Sequence, residues 1–302
     1  MDRLANIEAS FAAIDERGTL CSIDRSGRPL FPGGHFQGIQ LAGSGPERAY
    51  ITSSSNEKAY LVVADLAASG GRVAEVICLD DYPWNHAGGF QIVGDILAVG
   101  IENAAQDASE VRFYELAPEG LRLLEGPTVR RAGRGHASTA GAVGLAPLEG
   151  GWLLAAGSWD CRTIDFYSLV GDIHASRFSF RETWAWDEAC REGWLDEEFP
   201  SYQTINLLTQ ADGGIYLVGF ARAGEAECMD LYRVELEAAR ARILVKVGRK
   251  RMRCEGGCSF SKAAGIVASS GGLEAIAAKG TSGHHASGRE ITMQRFRAAG
   301  PA

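Results

Sequence analysis

A histidine set just ahead of a short strand of small residues recurs along this chain. Residues 33–41 read GGHFQGIQL, 84–92 read WNHAGGFQI and 135–143 read GHASTAGAV, which spaces His35, His86 and His136 by 51 and 50 residues. A repeat of this length restricts the available folds more than composition does, because each copy must be a supersecondary unit that buries its apolar face against the next. The same order follows each histidine. A second apolar strand (Arg48 to Ser53, Asp95 to Ile101, Gly151 to Gly157) leads through a polar loop to a third strand with aromatic or branched residues (AYLVVADL, EVRFYELA, TIDFYSLV). A weaker fourth closes the unit (RVAEVICLD, LRLLEG, SRFSFRETW). Two further units lack the histidine: SYQTINLLTQADGGIYLVGF continues to CMDLYRVEL and ARILVKVGR, and SFSKAAGIVASSGGLEAIAAKG continues to REITMQRFR.

Repeated units of four short strands are the pattern of an all-β five-bladed β-propeller built from four-stranded antiparallel blades. The expected boundaries are a single domain over 1–302 with blades at roughly 30–80, 81–130, 131–185, 199–250 and 256–298. The last unit lacks a fourth strand, and the run 18–24 (GTLCSID) is the candidate to supply it, which closes the ring and removes exposed sheet edges. The 38 glycines against 9 prolines suit a chain of many tight turns. Helical periodicity is confined to the first dozen residues.

The units resemble propeller blades of the WD40 type. The third carries the resemblance best: Gly135-His136 is followed by LLAAGSWDCRTIDFYSL, similar to a GH…S-x-D…W-D plan with Tyr167 at the terminal tryptophan position. In blade number and length the chain resembles tachylectin-2 and the five-bladed glycosidases. Those glycosidases carry carboxylates near the starts of the channel strands, where this chain has histidines in its first three units, so the resemblance does not carry a two-carboxylate mechanism with it.

Propeller geometry sorts residues by face. The loop entering each first strand and the loop between the second and third strands share one end of the channel. That end collects His35, Trp84, His86, His136, Tyr202, Phe260 and Lys262 from the first set of loops, and Asn56, Glu57, Glu102, Asp107, Trp159, Asp160, Arg162, His284 and His285 from the second. Five of the six histidines fall there; His174 does not. An insertion at 183–200, TWAWDEACREGWLDEEFP, interrupts the repeat with Trp184, Trp186 and Trp194 among acidic residues, and reads as a lid on that face.

Two readings of the histidines stand side by side. Equivalent positions on neighbouring blades converge, and three neutral imidazoles from His35, His86 and His136 would bind one divalent transition metal with an open position. Glu57, Glu102 or Asp160 would then act as base, and Trp84, Trp159, Trp184, Trp186, Trp194, Tyr202 and Lys262 would surround the substrate. Alternatively, as the WD40 resemblance implies, each histidine is structural and bonds within its own blade to a Ser or Thr and an acid of the second-to-third-strand loop.

Net charge of −8 argues against nucleic acid as a partner, and the basic run Arg249 to Arg253 is expected on a solvated outer strand. No apolar stretch is long enough to span a membrane, no secretory leader is evident, and seven irregularly spaced cysteines do not suggest a disulfide framework, so a cytoplasmic protein is expected. No nucleotide-binding glycine motif or nucleophile elbow is present. The expected function is therefore an enzyme acting on a small organic molecule, by hydrolysis, elimination or cyclisation and isomerisation. A lectin-like binding propeller is the alternative and a protein-interaction scaffold the third reading.

Overall fold

The computed structural model describes residues 3–42, 47–67, 70–133, 138–187, 191, 193–236, 243–269, 271–280 and 289–298. A short helix, α1 (Ile7–Ala13), opens on Asn6, whose side chain accepts the Ala9 N–H as an N-cap. The strands follow in chain order. The first five are β1 (Thr19–Asp24), β2 (Phe36–Ala42), β3 (Arg48–Ser53), β4 (Lys58–Ala67) and β5 (Gly70–Asp81). Next come β6 (His86–Val93), β7 (Ile96–Glu102), β8 (Ala108–Ala117), β9 (Gly120–Ala132), β10 (Ala142–Leu148), β11 (Gly151–Gly157), β12 (Thr163–Val170) and β13 (Ser179–Ala185). The last are β14 (Thr204–Thr209), β15 (Ile215–Ala223), β16 (Ala226–Val234), β17 (Leu244–Met252), β18 (Cys258–Ser269), β19 (Gly272–Lys279) and β20 (Glu290–Arg297).

Strands β6–β9, β10–β13 and β14–β17 form three separate four-stranded antiparallel sheets. The other eight form one closed set in the order β1-β20-β19-β18-β2-β3-β4-β5. This differs from an expectation of five detached sheets, and the difference rests on two narrow joins. One parallel pair, Ala264 with Gly38, links β18 to β2; two, Ile23 with Gly71 and Asp24 with Arg72, link β1 to β5. Elsewhere the set is antiparallel. The N-terminal strand pairs with the last one from Thr19 opposite Arg295 to Asp24 opposite Glu290.

Burial explains the strand character. The middle strands are buried on both faces, as in β7 (ILAVGIE), so they read as continuous apolar runs. Outer strands such as β5 and β9 are buried only in part, and β9 tolerates Pro127 because it lies at a sheet edge. Each apolar cluster lies between consecutive groups of strands. Phe90, Leu61 and Leu97 join β2–β5 to β6–β9, and Leu145, Phe113 and Leu154 join β6–β9 to β10–β13. Trp184, Phe166 and Leu217 join β10–β13 to β14–β17. Phe220, Phe260 and Phe296, with Ile7 and Phe11 of α1, join β14–β17 to β18–β20. Phe36, Ile276 and Ile23 close the cycle. Fully burying one such side chain contributes roughly 1.5–3 kcal/mol.

The first strands β2, β6, β10, β14 and β18 pack each against the next, with β18 returning to β2. Glycine permits this crowding: a Cβ on Gly265 would lie 2.0 Å from the Ile39 carbonyl oxygen, and one on Gly88 would lie 2.7 Å from that of Gly141. Three buried amides then tie the strands together. Gln91 Oε1 accepts the N–H groups of Leu145 and Leu207, both at 2.8 Å, and its Nε2 donates to the Leu207 carbonyl at 2.6 Å. Asn206 Oδ1 accepts from Ile266 N and Gln40 Nε2 at 3.0 Å each, and Asn206 Nδ2 donates to the Phe90 carbonyl at 3.1 Å. Replacing Gln91 with Leu leaves two buried N–H groups without an acceptor. The expected loss is about 3 kcal/mol of unfolding free energy, measured by urea titration against wild type.

Candidate functional site

His35 immediately precedes β2 and His86 opens β6, so both imidazoles sit at the start of adjacent inner strands. Their ring centroids are 6.5 Å apart at an interplanar angle of 65°. Between them lies Gln37. The pairing of β2 with β3 shifts between Phe36 and Gly38, leaving Gln37 as the extra residue of a β-bulge, a device that re-aims a side chain. Gln37 Nε2 is 2.9 Å from His35 Nε2 and also 2.9 Å from His86 Nε2. Its Oε1 accepts from Gln203 Nε2 at 2.6 Å, and its backbone carbonyl accepts from the Thr204 hydroxyl at 2.9 Å.

Behind His86 stands Glu102, its direct cross-strand partner on β7. Glu102 Oε2 lies 2.9 Å from His86 Nδ1. The approach falls outside hydrogen-bond alignment and is a close polar contact. The other carboxylate oxygen accepts the Ala140 N–H at 2.8 Å, which ties β7 to the segment entering β10. Burial, helped by the neighbouring His86 and Lys262, pushes the His35 pKa down to about 4, so this imidazole is neutral at pH 7.

The His35 ring does not follow the bonding expected of a structural WD40-type histidine. Ser53 and Ser54 hold the His35 backbone carbonyl and N–H, while its ring turns to Gln37. His86 does meet an acid of its own sheet, Glu102, while the Asp107 carboxylate accepts from Asn103. The third candidate ligand, His136, lies outside the described residues, as do His284 and His285. Among the described residues no group of three or more His, Cys, Asp or Glu gathers as a metal centre would require.

Other expected site residues are dispersed. Lys262 is exposed on β18 and close enough to His35 to act on its charge. Glu57 faces solvent, with its carbonyl accepting from Tyr82 N. Trp84 is half-buried beneath the Arg112 guanidinium, 6.0 Å from its ring centroid. Trp159 is 53% exposed on a turn whose next two residues, Asp160 (φ 68°) and Cys161 (φ 53°), are left-handed without being glycine. Bonds from Trp159 N to the Thr139 hydroxyl and from Tyr202 N to the Asp160 carbonyl hold this strained turn.

The described residues of the insertion pack against the sheets. Trp184 belongs to β13 and is fully buried, and Trp194 Nε1 donates to the Leu244 carbonyl at 2.8 Å. Phe199 stacks on Trp186 at 5.9 Å and meets Tyr202 edge-on at 4.9 Å. Trp186 also carries the Arg162 guanidinium 5.0 Å from its ring centroid. Buried Lys246 donates to Asp196 at 2.8 Å and to the Glu198 carbonyl at 2.7 Å, and Arg249 pairs with Glu198. Tyr202 is buried too, its hydroxyl 2.5 Å from both Asp230 Oδ2 and the Tyr232 hydroxyl. Trp184, Trp194 and Tyr202 therefore serve the packing between sheets, because β17 supplies the cations that the insertion's acids need.

The chain shares its fold with glycoside hydrolase β-propellers. A Xanthomonas citri GH43_1 enzyme, solved in complex with xylose, superposes with a TM-score of 0.53 at 11% identity, over 97% of this chain and 94% of that one. A Bombyx mori GH32 beta-fructofuranosidase superposes with a TM-score of 0.50 at 10% identity, over 97% of this chain but 66% of its own length. No family model matches the sequence, and no curated protein is similar to it by sequence.

Gln37 and Gln203 went unrecognised in the sequence. The available signal was a polar residue two positions after His35 in an otherwise small and apolar channel strand. The depressed His35 pKa also has a consequence for stability. Between about pH 6.5 and 4 the unfolded chain binds a proton at His35 that the folded chain does not, so stability falls as pH falls through that window. His35→Asn should flatten this part of the pH–stability curve, read by denaturant midpoints at pH 7, 5.5 and 4.

Proposed function

We propose that the protein is a hydrolase of small, polar, sugar-like molecules, with its site at the mouth of a five-bladed propeller. In this reading the eight-stranded set is two blades, β2–β5 and β18–β20 completed by β1, abutting at two narrow joins. The closed cycle of five inner strands and the five apolar clusters between groups support it. The fold likeness to GH43 and GH32 enzymes supports a sugar-like substrate. A cytoplasmic location remains part of the proposal.

One observation carries the catalytic reading: the Glu102 carboxylate touches one nitrogen of His86 while the other lies against the Gln37 amide, at the start of an inner strand. A carboxylate behind an imidazole orients it and stabilises the cation formed when it takes a proton. A water in place of the Gln37 amide at His86 Nε2 would give its proton to that nitrogen. The water oxygen bonds the scissile carbon, the bond to the leaving oxygen breaks, and the imidazolium returns the proton to the leaving group. The exposed, rigidly held Trp159 offers an aromatic wall for the apolar face of a sugar. The mechanism differs from a two-carboxylate glycosidase because Glu102 is committed to His86 and the Ala140 N–H.

The convergence of two Nε2 atoms on one point supports a second reading, in which a divalent transition metal takes the lone pairs of His35 and His86 with His136 as third ligand. Elemental analysis after reconstitution separates the two readings: one metal per chain, lost in a folded His35→Ala, His86→Ala variant, favours the metal. For the general-base reading, screening against aryl glycosides and small esters should find a substrate for which His86→Gln lowers kcat about 10²–10⁴-fold. Trp159→Ala should chiefly raise KM. A folded His86→Gln protein with wild-type kcat overturns the assignment.

A further inference from the structure

The buried carboxylate of Glu102 touches only one of the two histidines, yet its charge beside one ring and the Gln37 amide between the two set the proton position on both. In neutral His86 the nitrogen beside a carboxylate carries the hydrogen, so Nδ1, 2.9 Å from Glu102 Oε2, is the N–H. Its Nε2 is then a lone pair, and the atom 2.9 Å away must be a donor, which orients the Gln37 amide with Nε2 toward the rings. That orientation turns Gln37 Oε1 to Gln203, whose Nε2 donates to it at 2.6 Å. The second N–H of the same Gln37 nitrogen points at His35 Nε2, 2.9 Å away, which must also be a lone pair. His35 therefore carries its hydrogen on Nδ1.

We infer that Gln37 is a positioning residue that relays the preference of Glu102 across two strands, so that both imidazoles present Nε2 lone pairs to the same point. The relay has few alternatives. Gln37 is 1% exposed, its backbone carbonyl is tied to the Thr204 hydroxyl, and the bulge holds it out of the strand pairing. Turning its amide over would set two donors, its own nitrogen and that of Gln203, against each other unless Gln203 turned as well. The charged and titratable groups that bear on His35 are His86 and Lys262; the ammonium is a donor only, and the His86 Nε2 lone pair is taken by the Gln37 amide. In the proposed hydrolase this arrangement keeps the His86 lone pair on Nε2, where the attacking water would take the place of the Gln37 amide. That functional sense rests on the proposed reading; the relay itself does not.

The test is the tautomer of each ring, read by ¹⁵N NMR of histidine-labelled protein and assigned with single His35→Asn and His86→Asn variants. Wild type should carry both hydrogens on Nδ1. In Glu102→Gln the new carbonyl keeps the Ala140 N–H and the new NH₂ faces His86 Nδ1. His86 should then shift to the Nε2–H form, Gln37 and Gln203 should turn over, and His35 should follow to Nε2–H. In the double variant Glu102→Gln, Gln37→Leu, His86 should still shift and His35 should no longer follow. Wild-type rings protonated on Nε2, or a His35 unmoved by Glu102→Gln while Gln37 is intact, overturns the inference. If Glu102→Gln does not fold, Gln37→Leu alone decides: His86 should keep its Nδ1–H while His35 loses its single tautomer, and an unchanged His35 overturns the relay. No substrate enters these measurements, so a protein that shows the relay but hydrolyses nothing loses the proposed function and keeps the inference.

Discussion

Satisfying the innermost backbone governs this structure. A strand at a sheet edge has N–H and C=O groups with no ladder partner, and the edge strands β6, β10 and β14 crowd together with the narrowly joined β2 and β18 along the central cycle. Water has little room among them, since Gly88 and Gly265 allow backbone to lie against backbone. Gln40, Gln91 and Asn206 supply what the ladders cannot, accepting and donating between strands that are far apart in sequence. Without them, closing the cycle would trap unpaired polar groups, and their desolvation would outweigh the apolar burial at the same strands. The bulge at Gln37 extends the same use of amides toward the mouth, where the groups being satisfied are imidazoles instead of peptide bonds.

The strands were legible because their physics is local. Apolar runs buried on both faces alternate with turn residues, so Gly151–Gly157 and Thr163–Val170 stand where the sequence alone put them. The N-terminal segment pairs with the last strand as the missing-strand count required. The meeting of His35 and His86 was legible too, because equal positions in consecutive units must converge. Glu102 was among the candidate acids, and its place opposite His86 follows from a hairpin turning at Gly94 and Asp95. Gln37 was not legible, since a bulge shifts its side chain off the face that strict alternation assigns.

The insertion shows the other limit. Tryptophans among acids read the same whether they cover a ligand or fill a gap between sheets. What decides is the location of the partners, and those of Asp196, Glu198 and Trp194 are on β17. The basic run there does lie on an outer strand. Arg249, however, faces inward to Asp230, with bonds of 2.7 and 2.8 Å. Asp230 and Lys246 are both buried, 3.1 Å apart, and the hydroxyl of Tyr202 completes the group. Such a cluster tolerates loss of all its charges together better than loss of one, because a lone charge left behind has no water to turn to.

The pairing of β1 with β20 also sets an order of events. Residues 19–24 leave the ribosome long before their partners at 290–295, so while the residues between them are made the early strand has nothing antiparallel to pair with. Sheets in mid-chain have all four strands contiguous and need wait only for their own residues. The sheet completed by β1 must wait for the distant segment that carries β20, and its open edge is the surface that a nascent-chain chaperone, or a neighbouring nascent chain, would meet first.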